Sequence, residues 1–358
     1  MDSITQAALG AVLGEAILGR KLAWRGALWG AFFGTFPDLD VLVSPFIENE
    51  VTRLKWHRGI SHSILLTVLM PLLFAKPLAW LHRERGLSAR RAGLFVFLAW
   101  STHVLIDVFT TYGTQVFEPF SDTRVSFNNL FIIDLFFSFP LLLCCALIAF
   151  SAVRLFLKRK DPQPRPWGTH FALPALALSS LYVAFSFTMK FWAWSSMKET
   201  IAQKLPEARI AAISATPFNT ILWRGLLETE EAYHLLYWSP FDSAPAPIES
   251  LAKKHHLATP FADEELFQGL TWFSRDRWVA RRDSDGAIKI IDIRFGEGRD
   301  LEKNLMYPSW QWILHRDGSG QLTRETNRPR LQSVEKSLEL LWQRLRGDQS
   351  RWYQVRPF

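Results

Sequence analysis

The sequence of 358 residues is poor in cysteine, since Cys144 and Cys145 are its two cysteines. Two adjacent cysteines inside an apolar run cannot form a disulfide framework, so any water-exposed domain of the chain must fold without one. The amino terminus also lacks the basic segment of a cleavable signal peptide, because an acid, Asp2, follows Met1. We therefore expect the amino-terminal residues to stay in the mature protein.

Charged residues are scarce in the first half of the chain outside short loops. Up to about Lys190 the sequence is a series of apolar runs, whereas charged residues recur every few positions beyond it. This pattern predicts an α-helical integral membrane domain over residues 1–190 and a soluble α+β domain over residues 191–358. Four runs approach or exceed the roughly 20 residues that span a bilayer: Ile64–Leu81, Ala92–Thr110, Leu130–Leu157 and Phe171–Met189.

Two shorter runs at the amino end, Ile4–Leu18 and Leu22–Phe36, are rich in glycine and alanine. They are either two tilted spans that pack closely through small residues or a re-entrant hairpin. Counted as spans, they bring the predicted total to about six apolar helices.

The distribution of lysine and arginine predicts the orientation. Alternate loops are basic: Arg20, Lys21 and Arg25; Arg83, Arg85, Arg90 and Arg91; and Arg154, Lys158, Arg159, Lys160 and Arg165. Basic loops stay in the cytoplasm. We therefore expect residues 37–63, residues 111–129 and the C-terminal domain on the outer, periplasmic side of a bacterial inner membrane. The net charge of +7 is then explained by membrane-anchoring loops, so no nucleic-acid partner is expected.

Candidate metal ligands occur at the outer ends of the apolar runs. In "FPDLDVL", Pro37 ends the second run, and Asp38 and Asp40 follow it. Two carboxylates at this spacing either share a cation or occupy an ordinary turn.

The motif "HRGISHS" places two histidines before a long apolar run. Gly59 permits a sharp bend, and Ser61 is expected to cap a helix that begins at His62. His57 and His62 then either converge on a metal ion or are interfacial side chains that extend toward the membrane surface.

Two further apolar runs contain ionisable residues. His103 and Asp107 are four residues apart, which places them on one face of a helix, where they either ligate a cation such as zinc or form a hydrogen-bonded pair. Asp134 lies in the run Leu130–Leu157, where a carboxylate needs a metal ion or an arginine as a partner.

The candidate ligands combine imidazole nitrogen with carboxylate oxygen and include no thiolate. They are Asp38, Asp40, His57, His62, His103, Asp107 and Asp134. This set fits Zn²⁺ most closely, or Mn²⁺ or Fe²⁺, in a hydrolytic site with one or two ions. The expected general base is Asp38 or Asp40. Arg58 either neutralises charge on a phosphoryl oxygen or contacts a lipid head group.

Four motifs within residues 1–135, "MDSITQAALGAVLG", "FPDLD", "WHRGISHS" and "THVLIDVFTTYGT", resemble those of the YdjM-type family. Its members are described as LexA-regulated, membrane-bound metal-dependent hydrolases and are similar to the zinc phospholipase C and single-strand nuclease superfamily. The resemblance implies metal-dependent hydrolysis and carries the metal positions over to Asp38, Asp40, His57, His62, His103 and Asp107. One departure is Gln6, where many members have His. Either one coordination position is vacant, or Asp2 serves instead.

These features predict a membrane-bound hydrolase of a phosphoester or other ester in a lipid or lipid-linked substrate at the outer leaflet. A non-catalytic metal-binding scaffold or stress-response protein is the alternative. A transporter is disfavoured, because runs such as "ILLTVLMPLLFA" contain few polar groups that could form a pathway.

The C-terminal sequence has neither a phosphate-binding loop nor a cluster of metal ligands. Alternating runs predict β-hairpins at 278–295 and 310–325 and a third pair of strands at 219–240. Helices are expected near 246–256, 260–270 and 331–346.

Overall fold

The computed structural model describes residues 1–157, 167–283, 286–316, 318, 320–327 and 334–358. Several predicted features lie outside the described residues: the basic residues Lys158, Arg159, Lys160 and Arg165, the turn residues Ser284, Asp285, Asp317 and Ser319, and residues 331–333 of the last predicted helix. The chain divides into two compact units. Unit 1 comprises Met1–Glu48, Lys55–Phe187 and Pro217–Asn219, and unit 2 comprises Asn49–Leu54, Thr188–Thr216 and Thr220–Phe358.

The amino-terminal part of the chain is helical. The helices are α1 (Ser3–Leu22), α2 (Trp24–Thr35), α3 (Glu50–Trp56), α4 (Ile64–Leu81), α5 (Ala89–Val108), α6 (Leu135–Leu157) and α7 (Trp167–Lys204). In the described part of the chain, length and composition identify four helices that can cross a membrane: Ile64–Leu81, Ala89–Val108, Leu135–Arg154 and His170–Lys204. Each coincides with one of the four long apolar runs, whereas a total of six is not reached by these criteria.

Helices α1 and α2 pack closely through glycine. A Cβ atom built on Gly30 would lie 2.0 Å from the carbonyl oxygen of Gly10, and one on Gly34 would lie 2.8 Å from that of Gln6. Any larger residue would push the two backbones apart, which is why small residues occur at such helix contacts. The contact at Gln6 and Gly34 brings the first turn of α1 beside the end of α2.

Two helix starts differ from the sequence prediction. Ser63, not Ser61, caps α4, since the Ser63 hydroxyl accepts a hydrogen bond from the backbone N–H of Leu66 at 3.1 Å. His62 lies in a 3₁₀ turn, Ile60–His62, that precedes the helix. Helix α6 begins at Leu135, so Asp134 precedes this helix and is not inside it.

Unit 2 is rich in β-sheet. The strands are β1 (Arg209–Ala215), β2 (Trp223–Glu228), β3 (Ala232–Trp238), β4 (Ile248–Ala252), β5 (Trp278–Arg282), β6 (Ile288–Asp292), β7 (Glu297–Asp300), β8 (Leu305–Pro308), β9 (Gln311–Arg316) and β10 (Leu322–Asn327). Two antiparallel sheets have the orders β1-β2-β3-β4 and β10-β9-β6-β5, and β7 pairs with β8. The α-helices of this part of the chain are α8 (Glu265–Ser274) and α9 (Val334–Leu345).

The three predicted strand pairs of the C-terminal part are confirmed, as β2–β3, β5–β6 and β9–β10. The helix predicted near 246–256 is wrong, because β4 lies there and pairs with β3. Ala, Leu and Lys in this stretch favour a helix locally, but Leu251 is buried opposite Tyr233 in the sheet. Pairing with a neighbouring strand outweighs such local preferences.

Candidate metal centre

Four side chains converge at one end of unit 1. Asp38 lies on the 3₁₀ turn Phe36–Leu42 that follows α2, His62 lies on the turn before α4, and His103 and Asp107 lie on α5. Each offers one ligand atom, and the four atoms lie within 4.8 Å of one another. We call these residues the group of four.

Five of the six distances between the ligand atoms lie between 3.1 and 3.6 Å. The Nε2 atoms of His62 and His103 are 3.1 Å apart. His62 Nε2 is 3.3 Å from Asp38 Oδ1 and 3.3 Å from Asp107 Oδ2. His103 Nε2 is 3.5 Å from the same Asp38 oxygen and 3.6 Å from the same Asp107 oxygen. His62, His103 and Asp107 are fully buried, and the side chain of Asp38 is 17% exposed.

Hydrogen bonds on the far side of each ring assign the histidine tautomers. His103 Nδ1 is 2.7 Å from the carbonyl oxygen of Gly34, which can only accept, so this nitrogen carries the proton. The Ser61 hydroxyl donates its hydrogen to Asp40 at 2.8 Å, so His62 Nδ1, 2.9 Å from that hydroxyl, must donate to it. Both Nε2 atoms therefore turn a lone pair toward the centre of the group.

The carboxylates add two further acceptors. Asp38 Oδ1 and Asp107 Oδ2 are buried and accept no hydrogen bond from the residues that the structure describes. Four acceptors facing one point without a donor require positive charge there. The shifts in the pKa values of His62 and Asp38 are consistent with positive charge at this point. Burial opposes a charge on His62, but Asp107 and Asp38 outweigh it and raise the pKa of His62. Burial likewise disfavours the ionised Asp38, but His103 and His62 outweigh it and lower its pKa.

The second oxygen of Asp107 is held by donors. Gln6 Nε2 donates to Asp107 Oδ1 at 3.0 Å, Arg58 Nη2 lies 3.0 Å from the same oxygen, and the amino group of Met1 also contacts it. With Oδ1 occupied, Oδ2 is the oxygen that faces the group of four. Gln6 thus orients a ligand, in the region where the family resemblance implied either a vacant position or Asp2.

Asp2 is engaged elsewhere. Its carboxylate oxygens accept hydrogen bonds from the backbone N–H of Thr5 at 2.9 Å and from the Thr5 hydroxyl at 2.6 Å. Asp2 is therefore the cap of α1.

Asp40 and His57 lie beside the group of four and are not part of it. Asp40 Oδ1 is 2.9 Å from His57 Nδ1, and Asp40 Oδ2 accepts from the Ser61 hydroxyl and from the backbone N–H of Arg58 at 3.0 Å. The chain bends at Gly59, as predicted, where φ is −86° and ψ is −127°, and the residue before it, Arg58, is left-handed with a φ of 59°. This rare conformation for a residue with a side chain accompanies the hydrogen bond from the Arg58 N–H to Asp40.

Asp134 is not brought to the group of four. Tyr182 donates its hydroxyl hydrogen to Asp134 Oδ2 at 3.1 Å, and the backbone N–H of Phe137 donates to Oδ1 at 3.3 Å. Asp134 therefore satisfies the first turn of α6 and a tyrosine of α7. Burial is the main influence on this carboxyl and raises the pKa of Asp134 to about 6.

Arg58 is buried and faces a metal-ligand candidate. Besides Asp107, it reaches the Thr110 hydroxyl at 3.1 Å through Nη1. Its guanidinium lies 4.8 Å from the ring centre of Tyr112, on which Arg124 also stacks at 4.6 Å. Sequence reasoning missed the roles of Thr110 and Tyr112. The available signal was their position in "IDVFTTYG", directly after Asp107.

The chain is similar to a known protein over part of its length. The protein YfhP of Bacillus subtilis (strain 168), which is described as uncharacterised, is 28% identical over 143 residues. These residues are 38% of this chain and 42% of YfhP, so the similarity spans less than half of that relative. No solved structure matches the chain.

A family model described as YdjM inner membrane protein matches residues 1–193. This range includes all of the group of four and the first six helices, and it exceeds half of the chain. The chain belongs to the family of YdjM inner membrane proteins.

Proposed function

We propose that the protein is a membrane-bound, metal-dependent hydrolase acting on a phosphoester or other ester of a lipid or lipid-linked substrate. The observation that supports a metal ion is the 3.1 Å distance between the Nε2 atoms of His62 and His103, beside two carboxylate oxygens that accept no hydrogen bond from the described residues. A mere His–Asp hydrogen-bonded pair would turn an N–H toward Asp107, whereas the N–H of His103 points to Gly34. A bound cation removes the repulsion among these acceptors.

The spacing favours zinc. A tetrahedral zinc site with bonds of about 2.0–2.1 Å has ligand atoms about 3.3–3.4 Å apart. The separations of 3.1, 3.3, 3.3, 3.5 and 3.6 Å in the group of four are centred on that value. Nitrogen and oxygen ligands also suit Mn²⁺ or Fe²⁺, which prefer more ligands. Because Asp40 and His57 are engaged with each other, we propose one ion and not two.

We assign different chemical roles to the residues of the site. A divalent ion held by the group of four would supply Lewis acidity toward the ester oxygen and toward a water molecule. Asp38 has the one partly exposed carboxylate of the group of four, and its Oδ1 faces the centre, so we assign to its Oδ2 the proton taken from the attacking water. Asp40 already accepts three hydrogen bonds, and Arg58 is bound to Asp107. We therefore assign both a supporting role, in place of the direct catalytic roles that the sequence suggested.

Exposed apolar side chains next to Asp38 support a lipid substrate. Leu42 and Phe46 are 64% and 84% exposed, and Leu39 and Val43 are also exposed. Apolar side chains left open beside a buried polar site fit a ligand that has acyl chains next to an ester.

We further propose that the paired helices α1 and α2 cross the membrane together, which gives six crossings with the C-terminal part on the periplasmic side. The basic loops support this orientation. A reporter that is active only outside the cytoplasm, fused after Phe358, should be active. Activity from a cytoplasm-only reporter at that position would reverse the orientation and move the site to the inner face.

A non-catalytic scaffold is the second candidate, because four protein ligands can complete a tetrahedron, as in structural zinc sites. The test is a screen of phosphoester and acyl-ester lipids with metal-loaded protein in detergent, using His103→Ala and Asp38→Ala as matched variants. The hydrolase predicts turnover by the parent and none by either variant while both stay monodisperse. Metal-loaded parent without turnover on any ester would favour the scaffold.

A further inference from the structure

Ser61 connects a ligand candidate to a carboxylate outside the group of four. Its hydroxyl donates to Asp40 Oδ2 at 2.8 Å and lies 2.9 Å from His62 Nδ1. The backbone of Ser61 is itself held, because the indole N–H of Trp100 donates to its carbonyl oxygen at 3.0 Å. The hydroxyl is therefore fixed between His62 and Asp40.

Asp40 is a fixed acceptor because other donors anchor it. The backbone N–H of Arg58 also bonds Oδ2, and His57 Nδ1 lies 2.9 Å from Oδ1. A hydroxyl has one hydrogen, and an ionised carboxylate can only accept. The hydrogen of Ser61 thus goes to Asp40, and Ser61 has a lone pair left for the N–H of His62.

We propose that Ser61 and Asp40 are positioning residues that hold His62 in the tautomer and orientation that present Nε2 to a metal ion. This inference rests on the proposed metal binding at the group of four. Without the hydroxyl, the ring of His62 gains a competing tautomer with its proton on Nε2 and loses the contact that fixes its rotation. Partners of this kind commonly tune a metal site through the ligand that they orient.

The two histidines differ in how they are oriented, which makes the inference testable. His103 is held by a backbone carbonyl, that of Gly34, which no side-chain change removes. His62 is held by a side chain. Ser61→Ala therefore removes the orienting partner of one histidine and leaves the other unchanged, along with all four ligand residues.

The experiment measures zinc affinity of the full-length protein in detergent by competition with a coloured chelator, together with the visible spectrum of the cobalt(II) form. Ser61→Ala should bind zinc about 10- to 100-fold more weakly and shift the cobalt bands. Ser61→Thr keeps the hydroxyl and should restore both. Ser63→Ala is the matched control, since that hydroxyl caps α4. It should lower thermal stability and leave zinc affinity unchanged.

If Ser61→Ala does not fold, Asp40→Asn tests the same link, because an amide weakens the acceptor for Ser61. Unchanged zinc affinity and an unchanged cobalt spectrum in a folded Ser61→Ala or Asp40→Asn protein would overturn the positioning role. Failure of the parent itself to bind zinc or cobalt would overturn the proposed metal site as well, so the two failures are distinguishable.

Discussion

The two units of the chain bury polar side chains in different ways. In unit 2, Arg299 Nη1 donates to Glu249 Oε1 at 2.9 Å and Nη2 donates to Glu297 Oε1 at 3.3 Å. Arg224 donates to the other oxygen of Glu297 at 3.1 Å, and the Tyr237 hydroxyl also donates to Glu297. Both carboxylates of this ionic network thus accept hydrogen bonds from arginine donors. In unit 1, the group of four presents acceptors alone.

The difference shows which buried polar cluster needs a ligand. Burial opposes the charge on Glu297, but Arg224 and Arg299 outweigh it and lower the pKa of this residue. The ionic network supplies its own positive charge. The group of four has to obtain positive charge from protons or from a metal ion. Burial of charged residues is common to both units, so the balance of donors and acceptors identifies the candidate site.

The largest expected effect is on metal content. His103→Ala should remove most of the bound metal, more than the roughly 10- to 100-fold loss in affinity caused by changing an orienting partner. The variant removes one acceptor from the centre of the group of four and the N–H that donates to the carbonyl oxygen of Gly34, and it should still insert and remain monodisperse. Elemental analysis of protein purified in detergent checks this. If the variant keeps the metal content of the parent, His103 is not a metal ligand, and His103 and Asp107 are a buried hydrogen-bonding pair.

A variant in the ionic network of unit 2 should have the reverse effect and lower stability without lowering metal content. Arg299→Met leaves Glu249 and Glu297 with less compensation, so we expect a loss of about 3–5 kcal/mol in unfolding free energy with metal content unchanged. Denaturant unfolding in detergent measures this loss. Arg316→Met is the control, because its ion pair with Glu264 is exposed and should contribute at most about 1 kcal/mol. Equal stability of the two variants would contradict the claim that the buried carboxylates of the ionic network depend on the charge of Arg299.

A smaller effect is expected at Asp134, which belongs to neither cluster. Because the pKa of Asp134 rises from 3.8 to about 6 on folding, the folded state binds the proton more tightly. Stability from this group is therefore lost as pH rises from about 4 to about 6, by at most about 3 kcal/mol.

Asp134→Asn removes that pH dependence and keeps an acceptor for Tyr182. We expect the variant to melt at a higher temperature than the parent, and we expect this difference to be larger at pH 8 than at pH 5. Metal content should be unchanged. Loss of metal in this variant would return Asp134 to the ligand set that the sequence suggested.

The sequence predicted the secondary-structure elements better than the contacts between side chains. Helix α4 coincides with the predicted apolar run Ile64–Leu81, because a strongly apolar run has clear limits, although the helix start was predicted two residues early, at His62. Asp38, His62, His103 and Asp107 were all among the candidates by residue type and by position at the ends of apolar runs. The same criteria also selected Asp40, His57 and Asp134, which lie outside the group of four. Residue type cannot distinguish a side chain that faces the centre of a site from one that holds a neighbour, because that depends on tertiary distances.

The local sequence pattern also predicted the wrong role for Ser61. A serine before a long apolar run is a good helix cap, and two serines flank His62 in "ISHS". The fold uses Ser63 as the cap and leaves Ser61 to join His62 to Asp40. Asp40 comes from a turn 21 residues earlier, so no pattern within the motif could reveal this link.

The central claim is that the group of four binds one divalent ion, and a cobalt(II) titration of the metal-free parent tests it most directly. The account predicts the intense visible absorption of four-coordinate cobalt, saturating at one equivalent per chain and displaced by zinc. The same titration of a His62→Ala, His103→Ala double variant should give no such bands. Absence of the bands from the folded parent, or identical bands in the double variant, would contradict the account.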